Sequence, residues 1–117
     1  MHEKTSKSRR RYQRIQTPKG VWVAWQTKEQ KQSVSRVSDL NLGGLFIVTP
    51  NPAALGTEIT VLLSVPEGEI RGRSTVRNAT PEGMGVEFTE IAKADRARLQ
   101  ALITRLLAST PNASSAP

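Results

Sequence analysis

Two short stretches of this sequence carry side chains suited to holding an anionic, planar ligand. The first is Arg9-Arg10-Arg11-Tyr12-Gln13-Arg14, with four guanidiniums in six residues. A guanidinium is planar, stays charged, and presents paired donors that fit a phosphate or the O6/N7 edge of guanine. The second is Asp39-Leu40-Asn41-Leu42-Gly43-Gly44. Asp39 and Asn41 stand two residues apart, so on a strand they share a face. A carboxylate there can accept from the N1–H and N2–H₂ donors of a guanine, an amide can donate and accept beside it, and Gly44 would let a flat ring approach the backbone. Each stretch also has a plainer reading. The first can be a solvated basic tail, and the second an Asx-type turn between two strands.

The rest of the composition removes most reactive chemistry. Among 117 residues there is no cysteine and a single histidine, His2, in a polar terminus. That leaves no thiolate nucleophile, no Cys-ligated metal, and no basis for a His-rich metal site or a His-based triad. No P-loop is present, because Gly43-Gly44 lacks the following Lys-Ser/Thr. Glu87 and Glu90 do not make an acid/base pair, since one flanks a strand and the other a loop. The expectation is a protein with no catalytic residues, no metal and no cofactor.

The formal charge is +7, and it is unevenly placed. Residues 1–20 hold seven Lys/Arg and one acid, while residues 21–117 hold ten basic and nine acidic residues. A basic arm on a nearly neutral body suggests a local anion site rather than a uniformly polyanion-binding surface. The first 20 residues lack the apolar core of a secretory signal, and apolar runs such as Leu45-Phe46-Ile47-Val48 are too short to span a bilayer. A cytoplasmic location without membrane insertion is therefore expected.

Between polar ends the chain reads as one unit. Val21, Val23 and Trp25 alternate with Trp22 and Ala24, so the two tryptophans face opposite ways and at least one belongs in a core. Ser33 to Asp39 alternates as a strand with one buried face, and Asn41-Leu42-Gly43-Gly44 is a turn. Leu45 to Thr49 is a short strand stopped by Pro50 and Pro52. Thr57 to Val65 and Glu69 to Ala79 are strands joined by a Pro66-Glu67-Gly68 turn, and Pro81-Glu82-Gly83 leads to a last strand at Gly85 to Thr89. Six short strands suggest a small barrel or sandwich. The period then changes: Leu99, Leu102, Ile103, Leu106 and Leu107 mark one face of a helix that plugs a barrel end or packs on its side. The expected divisions are a disordered tail over 1–8 and a domain over 9–108. Within the domain lie an arginine-rich arm over 9–19, a barrel over 20–90 and a helix over 92–108. A second disordered tail covers 109–117.

Taken together, the two polar stretches resemble the signatures of the PilZ domain, the bacterial receptor module for cyclic di-GMP. That family carries Arg-x-x-x-Arg, matched here at Arg10 and Arg14, and [Asp/Asn]-x-Ser-x-x-Gly, matched at Asp39 and Gly44 with Asn41 in the serine position. The apolar flanks of Val37 to Ile47 and the later Gly83-Met84-Gly85-Val86-Glu87-Phe88 before a helix are also similar, so the likeness covers about residues 9–107. It implies a mainly β fold, a six-stranded antiparallel β-barrel with a C-terminal α-helix.

The resemblance also implies a site. Arg10 and Arg14 would clamp guanine edges and phosphates, Asp39 and Asn41 would read a guanine, and Gly44 would leave room. Arg9, Arg11 and Gly43 have secondary roles, and Arg77 is a further candidate whose plainer reading is an exposed strand arginine. The implied function is a non-enzymatic cyclic di-GMP receptor or adaptor. Its N-terminal arm would order on the nucleotide and signal to an effector protein of unidentified kind. Two alternatives stay open: a PilZ-like adaptor that has lost nucleotide binding, and a nonspecific basic nucleic-acid binder. The latter is disfavoured by the neutral body and by aromatics at only 4% of residues.

Overall fold

A computed structural model describes residues 15–16, 21–29 and 32–109. The tail over 1–8, most of the arm over 9–19, and residues 110–117 lie outside the described residues. Strand β1 (Ile15–Gln16) is followed by β2 (Trp22–Thr27), β3 (Gln32–Asn41), β4 (Gly44–Val48), β5 (Glu58–Val65), β6 (Gly68–Thr80), β7 (Gly83–Ile91) and helix α1 (Lys93–Ser109). Every pairing is antiparallel, in the order β3-β2-β5-β6-β7-β4, and β4 pairs again with β3. The six expected strands thus close into a barrel, which removes the free sheet edges that invite aggregation. The short β1 is an addition to that expectation. It pairs Ile15 with Leu40 and Gln16 with Asp39, continuing along β3 past the Trp22–Arg36 pair where the β2 ladder ends.

Alternation builds the interior. Val23 and Trp25 on β2, Ile59, Val61 and Leu63 on β5, and Ile70 and Val76 on β6 all point inward and are buried. Trp22, on the opposite face from Trp25, is 51% exposed. The β5–β6 and β6–β7 hairpins turn over Pro66-Glu67 and Pro81-Glu82, as the Pro-Glu-Gly repeats predict. Gly68 has φ of 125°, a backbone state that side chains disfavour.

Helix α1 covers the barrel end that carries the β3–β4 and β5–β6 turns. Leu99, Leu102, Ile103 and Leu106 are buried in the same core cluster as the strands, each worth about 1.5–3 kcal/mol when fully removed from water. Leu107 departs from the expected stripe and is 40% exposed. It lies about 80° around the helix from Leu99, at the margin of the buried face. Asp95, in the first turn where a carboxylate suits the helix dipole, accepts the Arg71 backbone N–H at 3.0 Å and so ties α1 to β6. At the other end Arg105 grips Glu67 through two hydrogen bonds, Nε to Oε2 at 2.6 Å and Nη2 to Oε1 at 3.2 Å.

Two buried serines make opposite predictions. Trp25 Nε1–H donates to Ser35 Oγ at 3.0 Å inside the barrel, so Ser35→Ala should cost about 1–3 kcal/mol by stranding the indole N–H. Ser74 Oγ is fully buried with no hydrogen-bond partner among the described residues, so Ser74→Ala should be neutral or stabilising. Urea denaturation of both variants checks this, and an equal loss in the two would contradict it. A third expectation concerns pH. The hydrogen bond from Arg105 holds the Glu67 carboxyl below its ordinary value. Stability from this pair is complete above the ordinary carboxyl range and is lost as pH falls through the depressed folded value. Glu67→Gln should therefore flatten that part of the acid limb in thermal melts taken across pH.

Candidate functional site

The site begins with an irregularity in β3. Val37 pairs with Ile47 and Asp39 with Phe46, so Ser38 is an extra residue, a β-bulge. Before it, Ser35 and Val37 face the core; after it, Leu40 does. Simple alternation from Val37 would have turned Asp39 and Asn41 inward. The bulge reverses the parity and sets both on the outer wall, half-buried. Sequence alternation alone placed Asp39 on one face with Asn41, which the structure keeps, but it did not show the switch.

Asp39 is held from both sides, by β1 through Gln16 and by β4 through Phe46. Ser38 Oγ–H donates to Asp39 Oδ2 at 3.0 Å, which leaves Oδ1 without a hydrogen bond among the described residues. Asn41 turns its carbonyl into the chain: Oδ1 accepts the N–H groups of Gly43 at 2.7 Å and Gly44 at 2.9 Å. This is an Asx-type turn, and the amide Nδ2 makes no hydrogen bond among the described residues. Gly43 sits at the tip and sends its carbonyl to the Phe88 N–H at 2.8 Å. Gly44 is buried, and a Cβ there would lie 2.0 Å from the Val86 carbonyl oxygen. The space at Gly44 is thus taken by the backbone of β7, so its glycine lets two strands approach rather than opening room for a ring.

Arg77 is exposed on β6 and forms an ion pair with Glu87 at 2.7 Å, while Glu87 is the ladder partner of Gly44. Arg9, Arg10, Arg11 and Arg14 lie outside the described residues. The site also contains residues that spacing did not single out. Phe46, opposite Asp39, is half-buried on the outer wall with its ring beside Gly83 and Gly85. Its place follows only once the bulge register is known. Arg96 of α1 donates to the Leu42 carbonyl at 3.2 Å, a contact across 54 positions that no local motif signals. A cleft of about 510 Å³ elsewhere on the barrel, lined by Arg71, Arg73, Glu90 and Asp95 among others, includes none of the expected site residues. Its charges are partly matched, with Arg73 paired to Glu90 at 2.9 Å. Among the described residues no group of His, Cys, Asp and Glu is arranged to hold a metal ion, and no helix is long and apolar enough to cross a membrane.

The turn chemistry gives a direct test. Asn41→Ser keeps a side-chain oxygen able to accept from the turn and should change stability by less than about 0.5 kcal/mol. Asn41→Ala strands two backbone donors and should cost about 1–2 kcal/mol. Gly44→Ala forces β7 aside and should cost at least about 2 kcal/mol. Chemical denaturation of the three variants in that rank order is the expected outcome.

Solved structures with the same fold place this geometry in context. The PilZ domain with c-di-GMP of YcgR from Escherichia coli superposes with a TM-score of 0.70 at 20% identity, covering 84% of this chain and 91% of that one. The K. pneumonia MrkH-c-di-GMP complex gives 0.71 at 16% identity, covering 92% and 54%. The Bacillus subtilis inhibitor of motility, MotI/DgrA, gives 0.66 at 26% identity, covering 86% and 52%. The chain therefore spans about half the length of two of these three neighbours. No curated protein matches the sequence. The sequence itself matches the PilZ domain over residues 8–105, nearly its whole length, and the chain belongs to the PilZ domain family.

Proposed function

We propose that this PilZ domain is a cyclic di-GMP receptor, with no catalytic role, that closes its arginine segment over a nucleotide seated on the Asp39 face. The observation that carries the reading is the register of β1. Ile15 and Gln16 pair with Leu40 and Asp39, and Arg14 is the residue bonded to Ile15. In sequence the arginine segment therefore runs directly into the residues that pair with the strand carrying Asp39 and Asn41. Asp39 Oδ1, which accepts no hydrogen bond among the described residues, is assigned to guanine N–H donors, and the Asn41 amide N–H₂ is assigned beside it. Arg10 and Arg14, with Arg9 and Arg11 in support, are assigned to guanine edges and phosphates. Gly43 and Gly44 are assigned to shaping the turn. Arg77, already engaged by Glu87, has at most an outer contact. Neighbours with the same fold include domains solved with c-di-GMP, which supports the ligand class.

The signal to an effector protein follows from ordering. A segment that settles on a ligand gives up conformational entropy, and the resulting combined surface of arm and barrel is a switch that a partner can read. The cytoplasm is the location that fits this reading.

Isothermal titration with cyclic di-GMP should give saturable heat, with a stoichiometry that distinguishes one bound nucleotide from a stacked pair. Arg14→Ala should lower affinity by at least about tenfold, the scale of one lost charge-assisted contact, while thermal melting stays unchanged. No heat at micromolar protein would sink the receptor reading in favour of a nucleotide-free adaptor. Binding of arbitrary DNA that collapses with salt would favour the nucleic-acid alternative.

A further inference from the structure

The β3–β4 turn contains two adjacent glycines, Gly43 and Gly44. Glycine restricts its own backbone least of all residues, so the order of this turn must come from the bonds made to it. Besides the ladder pairs of Gly44 with Asn41 and Glu87, the described residues supply such bonds from three places. Asn41 Oδ1 takes the two glycine N–H groups, and the Phe88 N–H of β7 takes the Gly43 carbonyl. The Leu42 carbonyl is taken by Arg96 Nη1 of α1 at 3.2 Å. The first two come from the turn and its neighbouring strand. The third comes from a separate element, docked independently onto β6 through Asp95 on the Arg71 N–H and through Arg98 Nη1 on the Glu69 carbonyl at 3.2 Å. Helix α1 also packs against β1, the strand that leads out of the arginine segment. One helix therefore touches both halves of the proposed site, the fixed turn and the root of the arm.

We propose that Arg96 is a positioning residue that clamps the Leu42 carbonyl and couples α1 to the turn that presents Asp39 and Asn41; the coupling to ligand rests on the receptor reading given above. The peptide joining Leu42 to Gly43 has its carbonyl pinned by a charged donor, so it is not free to rotate about the flexible glycine. Nucleotide binding that requires the ordered turn then stabilises the first turn of α1, and an effector that grips α1 stabilises the turn in return. That reciprocity is required by thermodynamic linkage. Arg96 touches no nucleotide in this scheme; it acts through the backbone.

The test separates the clamp from the ligand. Arg96→Met keeps the apolar stem and removes the donors, and Arg96→Lys restores one charged donor. Amide hydrogen exchange on the nucleotide-free protein should show Gly43 and Gly44 exchanging about fivefold faster in Arg96→Met, the scale of one hydrogen bond. Val61 and Leu63 should be unchanged, and Arg96→Lys should recover at least half of the effect. Titration should show cyclic di-GMP affinity about three- to tenfold weaker in Arg96→Met, again recovered by lysine. Exchange and affinity both within twofold of wild type would overturn the proposal, as would faster turn exchange with unchanged affinity. Faster exchange at Val61 and Leu63 would make Arg96 a general stabiliser and overturn it too. If the wild type binds no cyclic di-GMP, the receptor reading fails, and the exchange measurement alone decides whether Arg96 orders the turn.

Discussion

A β-strand alternates its side chains, and everything at this site depends on one place where that alternation is broken. Ser38 is the extra residue between two ladder pairs, and it lets Val37 and Leu40 both reach the core. Without it Asp39 would occupy an interior position, where an ionised carboxylate is costly unless it is paired and hydrogen-bonded. With it, the same six-residue stretch gives the barrel an apolar anchor at Leu40 and the surface two polar side chains at Asp39 and Asn41. The added residue does not loosen the strand, because β1 and β4 pair with Asp39 on its two sides. A bulge of this kind aims side chains as well as bending a strand.

The turn that follows divides its labour between its two polar residues. Among the described residues Asp39 accepts a hydrogen bond at one carboxylate oxygen only, while Asn41 spends its oxygen on the backbone. This makes sense of asparagine where the family has serine. Both side chains carry an acceptor that can satisfy a turn N–H, so the exchange preserves the scaffold and adds a donor at the surface. Gly44 belongs to the same scaffold, since its missing side chain is what allows β4 and β7 to meet at the Val86 carbonyl.

The fold was legible in this sequence wherever burial follows local period. The alternation of Ile70, Gly72, Ser74 and Val76 against Arg71, Arg73, Thr75 and Arg77 appears in β6 as read, and so do the two Pro-Glu turns and four of the five helix-face residues. The β1 strand was not legible, because a two-residue strand has no period. Nor was the bulge, because an added residue shows only when a partner strand fixes the register. At the site, the shared face of Asp39 and Asn41 followed from spacing. The contributions of Phe46, Glu87 and Arg96 did not, since each is set by pairing or by a contact far along the chain. The reason for Gly44 needed β7 in place before it could be seen.

Net charge and folded shape are concentrated in different parts of the sequence, and the proposed switch rests on that separation. The arginines of the barrel and helix largely have local partners: Arg73 with Glu90, Arg77 with Glu87, Arg98 with Asp95 and Arg105 with Glu67. The excess positive charge lies in the first 20 residues. The barrel wall, with little net charge, offers geometry without strong attraction, and the arginines of the first 20 residues supply the charge. The two parts adjoin in sequence, since Arg14 directly precedes β1, whose Gln16 pairs with Asp39. On the receptor reading proposed above, an anion that bears a guanine uses both parts at once, the donors and acceptors of the wall and the charges of the arginines. On that reading a simple anion engages only the arginines and a neutral base only the wall, and discrimination arises from requiring both contacts together.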